Sequence, residues 1–226
     1  MTCVQLILPL ETEASYAPEA FFVADHNRHA HDALQKAACE APKTLYIWGE
    51  KACGKTHLAH MFSFHTGALF LSPKELVLQD FWEKVATHPA FILENIETLQ
   101  NEASLFHLLN SVKEGGKSLL LTSRTAPREL AFVLPDLCSR LRGLEAYEIQ
   151  SPDDLSASAF VYKRFSDFSM KASPLLVTYL LTHSVRSYAA LDKVITGFWQ
   201  ASLKEKRRPT IQLLKEVLEQ TPPLTA

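Results

Sequence analysis

The chain has 226 residues, a formal net charge of −2, 47% hydrophobic and 21% charged residues, an ordinary globular composition with enough chain for one large domain or two modest ones. That balance excludes a protein that coats nucleic acid by charge alone, and no apolar run approaches the roughly 20 residues needed to span a bilayer. Four scattered cysteines (Cys3, Cys39, Cys53 and Cys138), with no C-x-x-C pair and no secretory signal, point to reduced thiols in the cytoplasm.

The first element is the apolar hexapeptide QLILPL, residues 5–10. It is too short for a secretory core and no Lys or Arg precedes it, so a signal peptide is a poor reading. It is either a first strand tucked into a core or a peptide held out for another protein. Residues 11–19 and 221–226 read as loose ends.

From about residue 43 to 150, short apolar runs alternate with helix-like segments. Strands are expected at 44–48, 68–71, 90–94, 118–123 and 146–149, several of them apolar throughout, as strands buried on both faces are. Helices are expected at roughly 56–65, 73–86, 102–114 and 128–141. This alternation predicts a parallel sheet with helices on both faces. In SPKE (72–75), Ser is placed to cap, Pro to open the helix and Glu to close a capping box. SPDD (151–154) repeats the device with Asp. After Ser151 the strand signal disappears, and helices are expected at about 152–167, 173–183, 186–203 and 210–220. The basic run KEKRR (204–208) reads as a solvated helix end.

The chemistry concentrates after the first strand, where GEKACGKT runs from Gly49 to Thr56 and matches G-x-x-x-x-G-K-[ST]. Two glycines let the backbone curl until its N–H groups converge on phosphate oxygens. The following helix adds the positive end of its dipole. Lys55 supplies a point charge to the β- and γ-phosphates, and Thr56 a hydroxyl to Mg²⁺. A second acidic strand is sought in such proteins, and FILENIE (91–97) supplies it. Glu94 stands where a metal-side carboxylate belongs. The next residue is Asn95, which can orient a water but cannot take its proton. Glu97 reads as a surface charge. SLLLTSRTAP ends a strand with Thr122 and Ser123, polar groups able to reach a γ-phosphate or its water. LPDLCSRLRG (134–143) places Arg140 on a short helix, either as a surface charge or as an arginine offered to a neighbouring subunit's phosphate. Arg186, at a helix start, could fold back on a nucleotide.

Together these motifs resemble the initiator clade of AAA+ proteins, specifically the DnaA/Hda family and its short regulatory branch. YAPEAFFVADHNRHAHDAL (16–34) is similar to the family stretch that leads into the nucleotide domain and lines the adenine pocket, through Tyr16, Phe21, Val23, Asn27, Arg28, Ala30 and His31. LPDLCSRL resembles the segment that bears the arginine finger. The resemblance implies a P-loop AAA+ three-layer α/β domain with a parallel sheet (16–150) and a small all-helical lid (151–226), behind an N-terminal peptide and linker (1–15). It implies ADP or ATP, with Mg²⁺, held by Val23, Asn27, Gly49, Ala52, Cys53, Gly54, Lys55, Thr56, His57, Ser123 and Arg186, the metal by Thr56 and Glu94. Thr122 and Ser123 fall at sensor 1, Arg186 at sensor 2 and Arg140 at the finger.

QLILPL resembles the motif by which Hda and other replication proteins dock on the β sliding clamp of DNA polymerase III. Gln5, Leu6, Leu8 and Leu10 would be the contacts, and Pro9 favours the extended form. Glu94 and Asn95 depart from the usual pair of acids, as they do in the regulatory branch. No helix-turn-helix follows the lid, so sequence-specific DNA binding is not expected of this chain. The implied function is regulatory inactivation of DnaA, in which a clamp-associated, nucleotide-bound adaptor, with weak or absent ATPase of its own, stimulates hydrolysis on DnaA. A homodimer or higher homo-oligomer is compatible with that role. A helicase-loader-like ATPase of the same clade is the alternative.

Overall fold

The computed structural model describes residues 16, 21, 23–40, 42–51, 53–77, 80–185 and 187–220. The expected clamp contacts at residues 5–10, Ala52 and Arg186 lie outside them. The described residues divide into two compact units, residues 16–151 and 152–220.

The first unit is built on five parallel strands: β1 (Thr44–Gly49), β2 (Leu69–Leu71), β3 (Ala90–Leu93), β4 (Ser118–Ser123) and β5 (Glu145–Ile149). Their order across the sheet is β2-β3-β4-β1-β5. β3 is buried at every position and β4 at all but its first, which is why these strands read as unbroken apolar runs. Helices α1 (Asp25–Cys39), α2 (Lys55–Thr66), α3 (Asp80–Thr87), α4 (Glu102–Glu114) and α5 (Pro135–Arg142) complete the unit. One sheet face, through Leu45, Ile47, Ile92 and Leu120, packs against Leu34 of α1 and Leu58 and Phe62 of α2. The other, through Tyr46, Phe91, Leu93 and Leu121, packs against Leu105 and Leu108 of α4 and Leu137 and Leu141 of α5. Each such fully buried side chain contributes about 1.5–3 kcal/mol. The result is the expected three-layer α/β domain with a parallel sheet.

The second unit holds α6 (Asp154–Asp167), α7 (Pro174–His183), α8 (Tyr188–Glu205) and α9 (Ile211–Gln220). They close on Val161, Phe165, Leu180, Leu191, Ile195, Phe198, Leu213 and Leu214. Ser173 caps α7 and Ser187 caps α8, each side chain accepting a backbone N–H of the first turn, from Leu176 and Ala190. The guanidinium of Arg207, in the KEKRR run, reaches Glu205 at 2.8 Å and Glu216 of α9 at 2.8 Å, so that part of the run ties α8 to α9 instead of standing free in solvent.

Several helix boundaries differ from expectation. The segment 73–86 is not one helix. The amide of Ser72 does donate to Glu75 Oε2 at 2.7 Å, as in a capping box, but the chain then makes only a 3-10 turn at Glu75–Val77 before the separate α3. The helix expected at 128–141 begins only at Pro135, because a residue before proline is pushed out of helical backbone and Leu134 is extended (φ −69°, ψ 110°). In SPDD the cap is Asp153, which accepts from the amide of Ser156 at 2.8 Å, so Ser151 lies outside the helix. α1 carries no obvious apolar stripe; only Ala30, Leu34 and Ala37 form its buried apolar seam, next to buried His26 and Asn27. Among the described residues, no helix is long and apolar enough to cross a membrane.

Candidate functional site

The phosphate loop forms between β1 and α2. At Gly49 a Cβ would lie 2.4 Å from the carbonyl oxygen of Ile149, so only glycine lets β1 end against β5. Gly54 has φ +113°, a backbone that L side chains rarely adopt, and directly precedes α2. The first turn of α2 begins at once, so the loop ends on exposed helix amides, the standard setting for an anion. Lys55 is only 7% exposed. Its ammonium donates to the carbonyls of Gly49 and Glu50, both at 2.7 Å. Cys53 is buried, and burial pushes its thiol above the usual range.

Thr56 and Glu94 meet although 38 residues separate them: the threonine hydroxyl donates to Glu94 Oε1 at 2.8 Å. A hydroxyl and a carboxylate are hard oxygen donors that suit Mg²⁺, which takes few protein ligands and completes its shell with phosphates and water. Among the described residues no group of three or more His, Cys, Asp or Glu could hold a metal by itself. Thr56 and Glu94 fit a metal whose remaining ligands come from phosphate and water.

Asn95 has left-handed backbone (φ 54°, ψ 50°), which Asn tolerates better than most residues. Its amide donates to Thr122 Oγ1 at 3.3 Å, locking the end of β3 to the end of β4. The two polar residues ending β4 point apart. Strand alternation sets Thr122 with Leu120 on the α2 face and Ser123 with Leu121 on the α4–α5 face. The Ser123 hydroxyl is engaged there by Thr125, whose amide lies at 3.2 Å. Thr122 is thus the residue on the α2 face, and Ser123 faces the other layer. Glu97 is not the surface charge expected. Both its carboxylate oxygens are shut off from solvent, with Arg124 Nε 3.6 Å away.

Of the expected adenine-pocket residues, Asn27 is buried and its Oδ1 accepts from the amide of Ala24, capping α1. Val23 is half-buried just before that helix. The His57 ring packs edge-on against Phe21 at 5.1 Å, and Phe21 lies 3.3 Å from where a Gly54 Cβ would stand. Arg140 belongs to a different layer. It is exposed in the last turn of α5, its guanidinium 4.6 Å from the Phe106 ring centroid, and among the described residues it has no ion pair. Glu50, in the variable part of the phosphate motif, carries no sequence signal of its own; it accepts the Ser151 hydroxyl at 3.0 Å.

No protein-family model matches the chain. DnaA of Corynebacterium jeikeium is 30% identical over 177 residues, 66% of this chain and 30% of that protein. The chain thus spans about a third of the length of that initiator. An uncharacterized protein of Haemophilus influenzae is 29% identical over 95% of this chain and 98% of its own length. Domain III of the Thermotoga maritima replication initiation protein DnaA superposes with a TM-score of 0.82, at 17% identity, over 91% of this chain and 96% of that one. The fold is DnaA-like AAA+. DnaA from Aquifex aeolicus, solved with AMPPCP, superposes with a TM-score of 0.69 at 19% identity, over 83% of this chain and 68% of that one. The sequence is homologous to DnaA as well as alike in fold. In the DnaA-like frame, the phosphate loop, Glu94 and Thr122 gather at the carboxyl ends of β1, β3 and β4.

Proposed function

We propose that this chain is a regulatory adaptor of chromosome replication: it binds ADP or ATP in its own phosphate loop and stimulates ATP hydrolysis on a DnaA initiator. The observation that carries this reading is Arg140, exposed, without a carboxylate partner among the described residues, and on the sheet layer opposite the chain's own phosphate-loop helix. An arginine so offered suits a phosphate on another molecule, where it would stabilise charge developing in the transition state. Within the chain, loop amides and the Lys55 ammonium would hold the β- and γ-phosphates. Thr56 and Glu94 would hold Mg²⁺, which shields phosphate charge when bound. Asn95 stands beside that site and can orient water without accepting a proton, which supports weak intrinsic hydrolysis. The hexapeptide at 5–10 would dock on the β sliding clamp, as the DnaA/Hda resemblance implies, bringing the adaptor to DNA.

The test is turnover of DnaA-bound ATP with this protein, with and without DNA-loaded clamp. The wild type should accelerate it and Arg140→Ala should remove the acceleration, a loss of about 10³-fold or more where the arginine is a true finger. Ordinary enzyme rates from the chain alone, with no effect on DnaA, would overturn the proposal. They would favour a helicase-loader-like ATPase, the second reading, for which the intact Thr56–Glu94 pair speaks.

A further inference from the structure

Glu102 opens α4, yet its carboxylate serves another segment of chain. Oε1 and Oε2 accept from the amide of Val133 at 2.9 and 3.0 Å, and Oε2 accepts from the amide of Leu134 at 2.7 Å. Those two amides stand immediately before α5, whose N-cap, Leu134, makes no side-chain cap bond and whose first residue, Pro135, has no N–H. The carboxylate also sits at the start of α4 itself, so two helix N-termini share one negative charge. One turn further along α4, on the same side, Phe106 lies beneath the Arg140 guanidinium at 4.6 Å. Along its length α5 buries Leu137 and Leu141 in the same cluster as Leu105 and Leu108 of α4. The short helix is therefore held at its entry, along its apolar side and beneath its last turn by α4.

We propose that Glu102 and Phe106 form a cradle that sets the position of α5 and the direction in which Arg140 is offered, making Glu102 a positioning residue for the arginine. This rests on the reading of Arg140 as acting on a partner's phosphate. A guanidinium held by one aromatic face keeps its N–H edges free for phosphate oxygens, and the face contact fixes the plane of the fork. An ion pair in place of Phe106 would consume those edges. Placement matters steeply, because a shift of about 1 Å in a transition-state contact costs on the order of a hundredfold in rate.

Two measurements on the full chain decide it. Amide hydrogen exchange should be about tenfold faster at Val133 and Leu134 in Glu102→Ala, with Glu102→Gln, which keeps an acceptor, restoring most of the protection. In DnaA-bound ATP turnover, Glu102→Ala and Phe106→Leu should lower the maximal stimulated rate about ten- to hundredfold. The concentration giving half-maximal stimulation should shift by less than about twofold, and Glu102→Gln should recover most of the rate. Unchanged exchange at Val133 and Leu134 in Glu102→Ala overturns the cradle. Faster exchange with undiminished stimulation overturns the positioning role. A wild type that does not stimulate DnaA overturns the functional reading instead, while the exchange measurement still decides whether Glu102 holds α5.

Discussion

Removing the Lys55 ammonium should leave the fold intact and abolish the gain in stability from nucleotide. Its bonds to Gly49 and Glu50 carbonyls hold the loop's own backbone, and phosphate oxygens would compete for the same protons. Ligand at a hundredfold excess over its dissociation constant adds about 2.7 kcal/mol, a rise of roughly 5–10 °C in midpoint for a chain of this length. Thermal scans of wild type and Lys55→Ala with ADP and ATP check this, and an equal rise in both would remove Lys55 from the site. Beneath the end of β4, Tyr46 is buried with its hydroxyl donating to the Thr125 carbonyl at 2.8 Å. Burial pushes that phenol up to about 12 from its ordinary value of 10.0. Its stabilising contribution is complete below pH 10 and is lost as pH rises toward 12. In an alkaline absorbance titration of the six tyrosines, the step near pH 12 should vanish in Tyr46→Phe, while Tyr147, which burial and Glu145 also push up, keeps its own step.

Among the elements, capping gives the sharpest expectation. Asp153 supplies the side-chain acceptor that starts α6, so Asp153→Ala should cost about 1 kcal/mol in unfolding free energy, while Ser151→Ala should cost α6 nothing. Denaturant titration of both variants checks the contrast, which also marks what a sequence reveals. β1 and β4 are legible because strands buried on both faces have no solvent side to interrupt their apolar runs. The Thr56–Glu94 contact is legible because a fixed motif fixes where its parts must meet. The start of α5 is obscured because apolar spacing runs on through Phe132 and Leu134, and the veto comes from one proline. α1 escapes notice because helix and loop look alike where the buried seam is mostly alanine and the rest is charge, histidine and amide. Glu102 is invisible because it binds backbone amides 31 and 32 positions on, and an amide has no letter of its own. Ser123 and Thr122 can be told apart only by which sheet face each residue takes.

At the scale of the molecule, the proposed adaptor joins a peptide, a nucleotide unit and an arginine that should be separable in function. Gln5→Ala with Leu8→Ala should abolish binding to purified β sliding clamp in surface plasmon resonance and leave the nucleotide-induced rise in melting temperature unchanged. A lone peptide burying two leucines gains roughly 3–6 kcal/mol before ordering costs, so its affinity should be micromolar or weaker. If the double substitution unfolds the protein and the wild type never binds clamp, residues 5–10 are a core strand. The order of the sheet has a further consequence, for the chain as it is synthesised. β1 pairs only with β4 and β5, and Gly49 stands opposite Ile149. A nascent chain that has released the whole phosphate motif therefore lacks both neighbours of the strand that carries it. At about 5–20 residues per second, roughly 5–20 s pass between the emergence of Thr56 and that of Ile149. Through that interval the whole phosphate motif has emerged while its strand still waits for β5, and until Ser123 emerges for β4 as well, so the apolar β1 is open to other partners until its own arrive.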